Sequence, residues 1–110
     1  MNQPTDQPAT DQTLADLIDE AIGAKQVLLP YARCQELDEA LRAAIAAILP
    51  AVQQELGGLK KYSRDWYQVT HVLADTDEVL AEGLGSGLLS AAIQVGRLAE
   101  QCRFLAAEVR

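Results

Sequence analysis

Apolar residues return every three or four positions through almost all of this chain, and the returns are interrupted only at proline and glycine. That interval is the repeat of one face of an α-helix, whereas strands need alternation and β-branched or aromatic runs, which are missing here. The sequence therefore specifies an all-α protein of about four helices, a single helical domain over residues 10–110. Residues 1–9, MNQPTDQPA, are too polar to join a core and are expected to form a disordered tail.

The first helix is expected from Thr10 or Asp11, with Asp11 as its cap. Leu14, Leu17, Ile18, Ala21, Ile22 and Leu28 lie on its apolar face, and Pro30 ends it. The second should run from near Arg33 to Leu56, with Cys34, Leu37, Leu41, Ala44, Ile45, Ile48, Leu49, Val52 and Leu56 as its apolar positions. Its stretch 43–49, AAIAAIL, is apolar all round and so is expected to be buried on more than one side. Pro50 lacks a backbone donor and should kink or restart the helix, and Gly57-Gly58 should stop it. Ser63 is an N-cap for a third helix ending at Gly83, with Asp65 in its first turn. A fourth is expected from Ser86, as its cap, to Val109. Its apolar side reads Leu88, Leu89, Ala92, Val95, Leu98, Ala99, Cys102, Leu105, Ala106 and Val109. The apolar stretch, the Pro50 break and the 18 alanines also suit a homodimer in which two chains share one core.

A length of 110 residues allows one domain, and a net charge of −7 works against nucleic acid and anionic membranes as partners. Residues 1–59 carry three basic and nine acidic side chains, against six and seven in residues 60–110. No apolar run is long enough to span a bilayer and the N-terminus lacks the pattern of a signal peptide, so a cytoplasmic location is expected. Cys34 and Cys102 are then expected as buried free thiols at opposite ends of the bundle, although Cys34, near a helix start, also fits a reactive thiolate. One His and two Cys without ligand spacing provide no metal site. The glycine-rich GLGSG (Gly83–Gly87) joins two helices and lacks the strand and lysine of a phosphate loop.

The chemistry is concentrated in residues 60–71, KKYSRDWYQVTH. Three of the five aromatic residues, Tyr62, Trp66 and Tyr67, fall within six positions, and the only histidine, His71, comes four residues after Tyr67. At about 100° per residue, Trp66, Val69, Leu73, Thr76 and Leu80 form a buried stripe, while Arg64, Tyr67, His71, Asp75 and Glu78 share the opposite, solvent-facing one. That strip is open to two readings. It is a solvated face supported by i,i+4 pairs, or a recognition face in which tyrosine, tryptophan and arginine anchor a peptide or protein partner. His71 is also a fallback general base, with Asp65 as another, because imidazole exchanges its proton near neutral pH.

At SRDWY (Ser63–Tyr67) and GLGSGLLSAA (Gly83–Ala92) the sequence resembles short actinobacterial helical proteins of cinnamycin- and duramycin-type lanthipeptide maturation. The likeness extends over about residues 14–110. It implies a homodimer that forms a lysinoalanine cross-link, adding a substrate lysine amine to a dehydroalanine of a modified lanthipeptide. It further implies no cofactor, and a base supplied by a hydroxyaspartate carboxylate of the substrate. No family catalytic residue transfers to a position of this chain. The residues expected to bind and order the substrate are Tyr62, Arg64, Trp66, Tyr67 and His71, taken from the strip itself. The alternative is a non-catalytic helical adaptor that uses the Arg64–Tyr67–His71 face.

Overall fold

The computed structural model describes residues 13–109. The expected tail over residues 1–9 and the expected cap Asp11 lie outside that range. Among the described residues there is no strand, and the helices number five: α1 (Leu14–Ile22), α2 (Ala24–Val27), α3 (Tyr31–Gly58), α4 (Arg64–Ala81) and α5 (Leu88–Ala107).

The fifth helix arises because the expected first one is divided. Gly23 closes α1 by donating to the Ala21 and Asp19 carbonyls and then begins α2, as suits a residue that weakens a helix interior by about 1 kcal/mol relative to alanine. Thr13 caps α1, its hydroxyl accepting the Asp16 N–H at 3.1 Å. Helix α2 ends at Leu28, which takes a left-handed conformation (φ 52°) and turns the chain into Leu29-Pro30. The Pro30 boundary was legible, while the Gly23 break was not.

Helix α3 overturns two expectations. It runs on across Pro50 without restarting and ends, as expected, at the glycine pair, with Gly58 its last residue. Proline removes the donor to the Ala46 carbonyl, and both Ala46 and Pro50 are exposed, so the freed oxygen lies on the solvent side of the helix. Nor is AAIAAIL buried on several sides. Ile45 is fully buried, but Ala43, Ala46 and Ala47 face solvent, because alanine is tolerated on either face of a helix.

Helix α5 lies at the centre and packs against all four other helices. It contributes Val95, Leu98, Ala99, Cys102 and Leu105 to a core completed by Leu37, Leu41 and Ile45 of α3, all fully buried within one chain. The core residues are thus covered without a second chain. Leu88, Leu89, Ala106 and Val109, expected on the buried side of this helix, are exposed. Leu88, Leu89 and Ala106 fall in its first and last turns, and Val109 lies past its end.

Polar groups fasten the helices at specific points. Arg33 of α3 holds Glu20 of α1 with two parallel bonds of 2.6 and 2.7 Å and reaches Glu36 at 2.8 Å. Arg42, braced by Asp38 at 3.0 Å, donates to the Leu80 and Glu82 carbonyls at 2.9 and 2.6 Å. Gln94 adds bonds to the Val79 and Glu82 carbonyls at 2.9 and 3.3 Å. Arg42 and Gln94 therefore satisfy the carbonyl end of α4, where helical partners run out. Buried Gln101 donates to the Thr76 hydroxyl at 3.0 Å, which donates in turn to Val72 at 2.8 Å.

The GLGSG segment is a structural turn. Gly85 is left-handed (φ 75°), and a Cβ there would meet the Ser90 hydroxyl at 2.7 Å. Ser86 does not cap α5. Gly87 occupies the cap position and Ser90, three residues on, ties the turn together, lying 2.9 and 3.0 Å from the Leu84 and Gly87 carbonyls. The Tyr31 hydroxyl donates to the Gly85 carbonyl and anchors the turn to α3.

Candidate binding face

Ser63 caps α4 as the sequence indicates, its hydroxyl accepting the Trp66 N–H at 3.2 Å, and Asp65 stands in the first turn. This cap fixes where the aromatic residues emerge. Tyr62 lies just outside the helix with φ 69°, a left-handed conformation that costs a non-glycine residue roughly 1–2 kcal/mol. From there its ring meets Trp66 edge to face, with centroids 5.3 Å apart, and lies 6.3 Å from Tyr67. Trp66 and Tyr67 are themselves 5.1 Å apart at 82°, within the range favoured by aromatic pairs.

The expected separation of Trp66 from Tyr67 into two stripes thus fails at the start of the helix. Trp66, in the first turn of its helix, is only half-buried, and Tyr62 joins it from the loop to make one cluster. Farther along α4 the two-stripe reading holds. Val69 and Thr76 are buried, Leu73 and Leu80 are partly so, and His71 and Glu78 are exposed. Val79, unremarked in the sequence pattern, is buried too.

Tyr62 and Tyr67 are 64% and 56% exposed, so the cluster presents ring surface to solvent. Lys61 lies 5.4 Å from the centre of the Tyr62 ring, within cation–π distance. The sequence showed it only as half of a basic pair. Arg64 is exposed and forms no hydrogen bond or ion pair with a described residue, leaving its guanidinium available. His71 turns away from the rings to pair with Asp75 at 3.3 Å. The site consists of three packed rings, Lys61 over the Tyr62 ring and an unpaired Arg64 at the start of α4, with an imidazole one turn beyond.

The two tyrosine rings lie open on the surface. A groove of about 460 Å³ lies elsewhere, between α3 and the α4–α5 turn, lined by Gln35, Glu36, Asp38, Glu39 and Leu84. Among the described residues, no group of three His, Cys, Asp or Glu side chains comes close enough to hold a metal ion, and no helix is long and apolar enough to cross a membrane.

The thiols do not assemble into a reactive centre. Cys34, in the first turns of α3, and Cys102 of α5 are both free and fully buried. Burial pushes the Cys34 thiol up, assisted by the charge of Glu20. Burial also raises Cys102 to about 11, and its S–H points to the Leu41 carbonyl at 3.6 Å. Because a raised thiol pKa favours the folded state only while the thiol is protonated, that stabilisation is full below the ordinary value of 9.0 and is lost as pH rises towards 11. Thermal unfolding should accordingly show a melting temperature that declines between pH 9 and 11, with a shallower decline in Cys102→Ala. At pH 8 an aromatic disulfide reagent should react with both thiols at least about 100-fold faster in denaturant than in the native protein.

A model described as a family of unknown function, DUF6415, matches residues 12–110. The chain belongs to the DUF6415 family. This DUF6415 chain is also 33% identical over 98 residues to the sensor protein LytS of Enterococcus faecalis (strain ATCC 700802 / V583), an alignment that takes in 86% of the chain. The chain spans only 16% of the length of that relative. No solved structure matches it. The family match takes in every helix described above, so the aromatic face and the helical core belong to one DUF6415 unit.

Proposed function

We propose that the chain is a peptide-binding scaffold that holds a modified lanthipeptide on the Tyr62–Trp66–Tyr67 face and orders it for lysinoalanine closure. The observation that carries the binding part is the ring cluster itself. Two tyrosines stay more than half exposed, one of them in an unfavourable backbone conformation, and such local strain gathers where a ligand is held. Arg64 and Lys61 beside the rings suit carboxylate and carbonyl groups of a peptide. Exposed rings side by side suit a chain laid across them. The cross-linking step rests on the resemblance at SRDWY and GLGSGLLSAA.

In that reaction the lysine nitrogen attacks the β-carbon of dehydroalanine. The displaced π electrons pass to the α-carbon, which takes up a proton, while the nitrogen gives one up, and no atom is gained or lost. The amine, with a pKa of about 10.4, must first be deprotonated. Holding amine and alkene roughly 3–3.5 Å apart in attack geometry lowers the barrier by about 7–11 kcal/mol. Buried protonated thiols and a solvent-facing His71 favour a scaffold whose substrate carboxylate takes the proton.

Incubation with a dehydrated, cyclised and hydroxylated duramycin-type peptide tests this reading. Cross-linking leaves the mass unchanged, so the readout is loss of the dehydroalanine that an added thiol would otherwise trap. Protein-dependent protection is the expected result, and Tyr67→Ala or His71→Ala should slow it by more than about tenfold. Full rates in both variants would take the strip out of the site. A pH profile following an imidazole, with near-complete loss in His71→Ala, would move the base from substrate to protein. The similarity to part of a sensor protein favours a second reading, a non-catalytic adaptor. That reading requires binding through Arg64, Tyr67 and His71 with no chemical change in the bound peptide.

A further inference from the structure

Between α5 and the corner made by α1 and α2 the packing is not closed. Small residues bring the backbones together there: Ala21, Ala24 and Ala92 are buried, and Gly96 of α5 faces the Ala21 carbonyl. Beside this crossing a cleft of about 140 Å³ opens. Ile22, Ala92, Ile93 and Gly96 form its apolar part, and Lys25, Arg97 and Glu100 its charged part. The three charged residues are exposed, and none forms a hydrogen bond or ion pair with a described residue. Gly96 is not demanded by the helix crossing. A Cβ at this position would lie 3.6 Å from the Ala21 oxygen, an ordinary contact. Glycine in a helix interior weakens the helix relative to alanine, so the missing side chain costs stability and leaves the cleft open.

We propose that this cleft binds a free α-amino acid with a small apolar side chain, such as leucine. That ligand complements the lining group by group. Lys25 and Arg97 suit its carboxylate, the guanidinium as a fork able to take both oxygens. Glu100 suits its ammonium. The apolar part suits its side chain: an engineered cavity of about 150 Å³ holds a benzene ring, so about 140 Å³ accommodates a branched aliphatic group. A simple carboxylic acid would set a second anion beside Glu100, and a simple amine would face two cations. A residue inside a peptide carries neither free charge. The cleft is also separate from the aromatic face. Gln68, in the second turn of α4, bonds Glu108 at the far end of α5 at 2.9 Å, and Gly96 lies about 18 Å back along the helix from Glu108. The other wall of the cleft is α1 and α2, and the assignment does not depend on what the rings bind.

A proton–nitrogen NMR titration of the full chain with leucine tests the assignment. The amide signals of Lys25, Ala92 and Gly96 should move and saturate below about 10 mM, while those of Tyr62 and Trp66 stay in place. Isocaproate, which lacks the ammonium, and isoamylamine, which lacks the carboxylate, should each bind at least about tenfold more weakly. Arg97→Gln should weaken leucine at least about tenfold, and Glu100→Gln should leave leucine no better than isocaproate. Gly96→Leu should abolish binding by filling the cleft, with helical circular dichroism unchanged. No saturation with leucine by about 10 mM overturns the proposal, as does saturation whose shifts fall on the aromatic face. So does isocaproate or isoamylamine binding as tightly as leucine, or wild-type affinity in both Arg97→Gln and Glu100→Gln.

Discussion

Leu98→Ala is expected to remove about 2–5 kcal/mol of folding stability, the range for deleting a fully buried leucine and leaving its cavity. Leu98 has no exposed surface and sits midway along the helix that touches every other, so no single neighbour can shift to fill the space. Against a total of roughly 5–15 kcal/mol for a domain of this kind, the loss threatens folding itself. Urea unfolding followed by far-ultraviolet circular dichroism would measure it. Leu88→Ala, on the same helix but exposed, is the control and should stay within about 0.5 kcal/mol of wild type. A Leu98→Ala loss below about 1 kcal/mol with an unchanged denaturant slope would show that α5 is not the packing centre described.

Arg42→Ala should cost about 1.5–3 kcal/mol, the range for hydrogen bonds to a charged group. The side chain donates to two carbonyls at the end of α4 while Asp38 fixes its orientation. Removing it leaves Leu80 and Glu82 to water and to Gln94, which already bonds the Glu82 oxygen. Arg42→Lys should recover less than half of the loss, because an ammonium is a point donor and cannot span two carbonyls held in fixed directions. The same unfolding measurement decides this. Full recovery by lysine would reduce the role of Arg42 to its charge.

These two positions also mark how much of the molecule could be read in advance. Leu98 follows from local periodicity, as do Leu37, Leu41, Ile45 and Val69, because the period of a helix is set by its own residues. Ser63 as a cap was equally local. Arg42 and Gln94 were not legible, because their partners lie 38–40 and 12–15 residues away and depend on how helices dock. That the helix would not restart at Pro50 was hidden for a related reason. The cost of a missing donor depends on whether the freed carbonyl meets water, and exposure is a tertiary property. At the binding face, the aromatic cluster in 62–67 stood out by composition and its residues were named. Their union into one cluster needed the left-handed turn at Tyr62, and a tyrosine gives no local sign of adopting it.

The central place of α5 also sets an order of events during synthesis. It comes last of the five helices along the chain, and the apolar faces of α1, α2 and α4 are covered mainly by it. While the ribosome is still adding residues, at roughly 5–20 per second, the earlier helices can close only on the smaller contacts that α3 makes with α1 and α4. Their greasy surfaces stay open to chaperones, and to other nascent chains, until α5 emerges. Shortening the chain from that side should therefore not produce a smaller version of the fold, because what is lost is the element on which the others assemble.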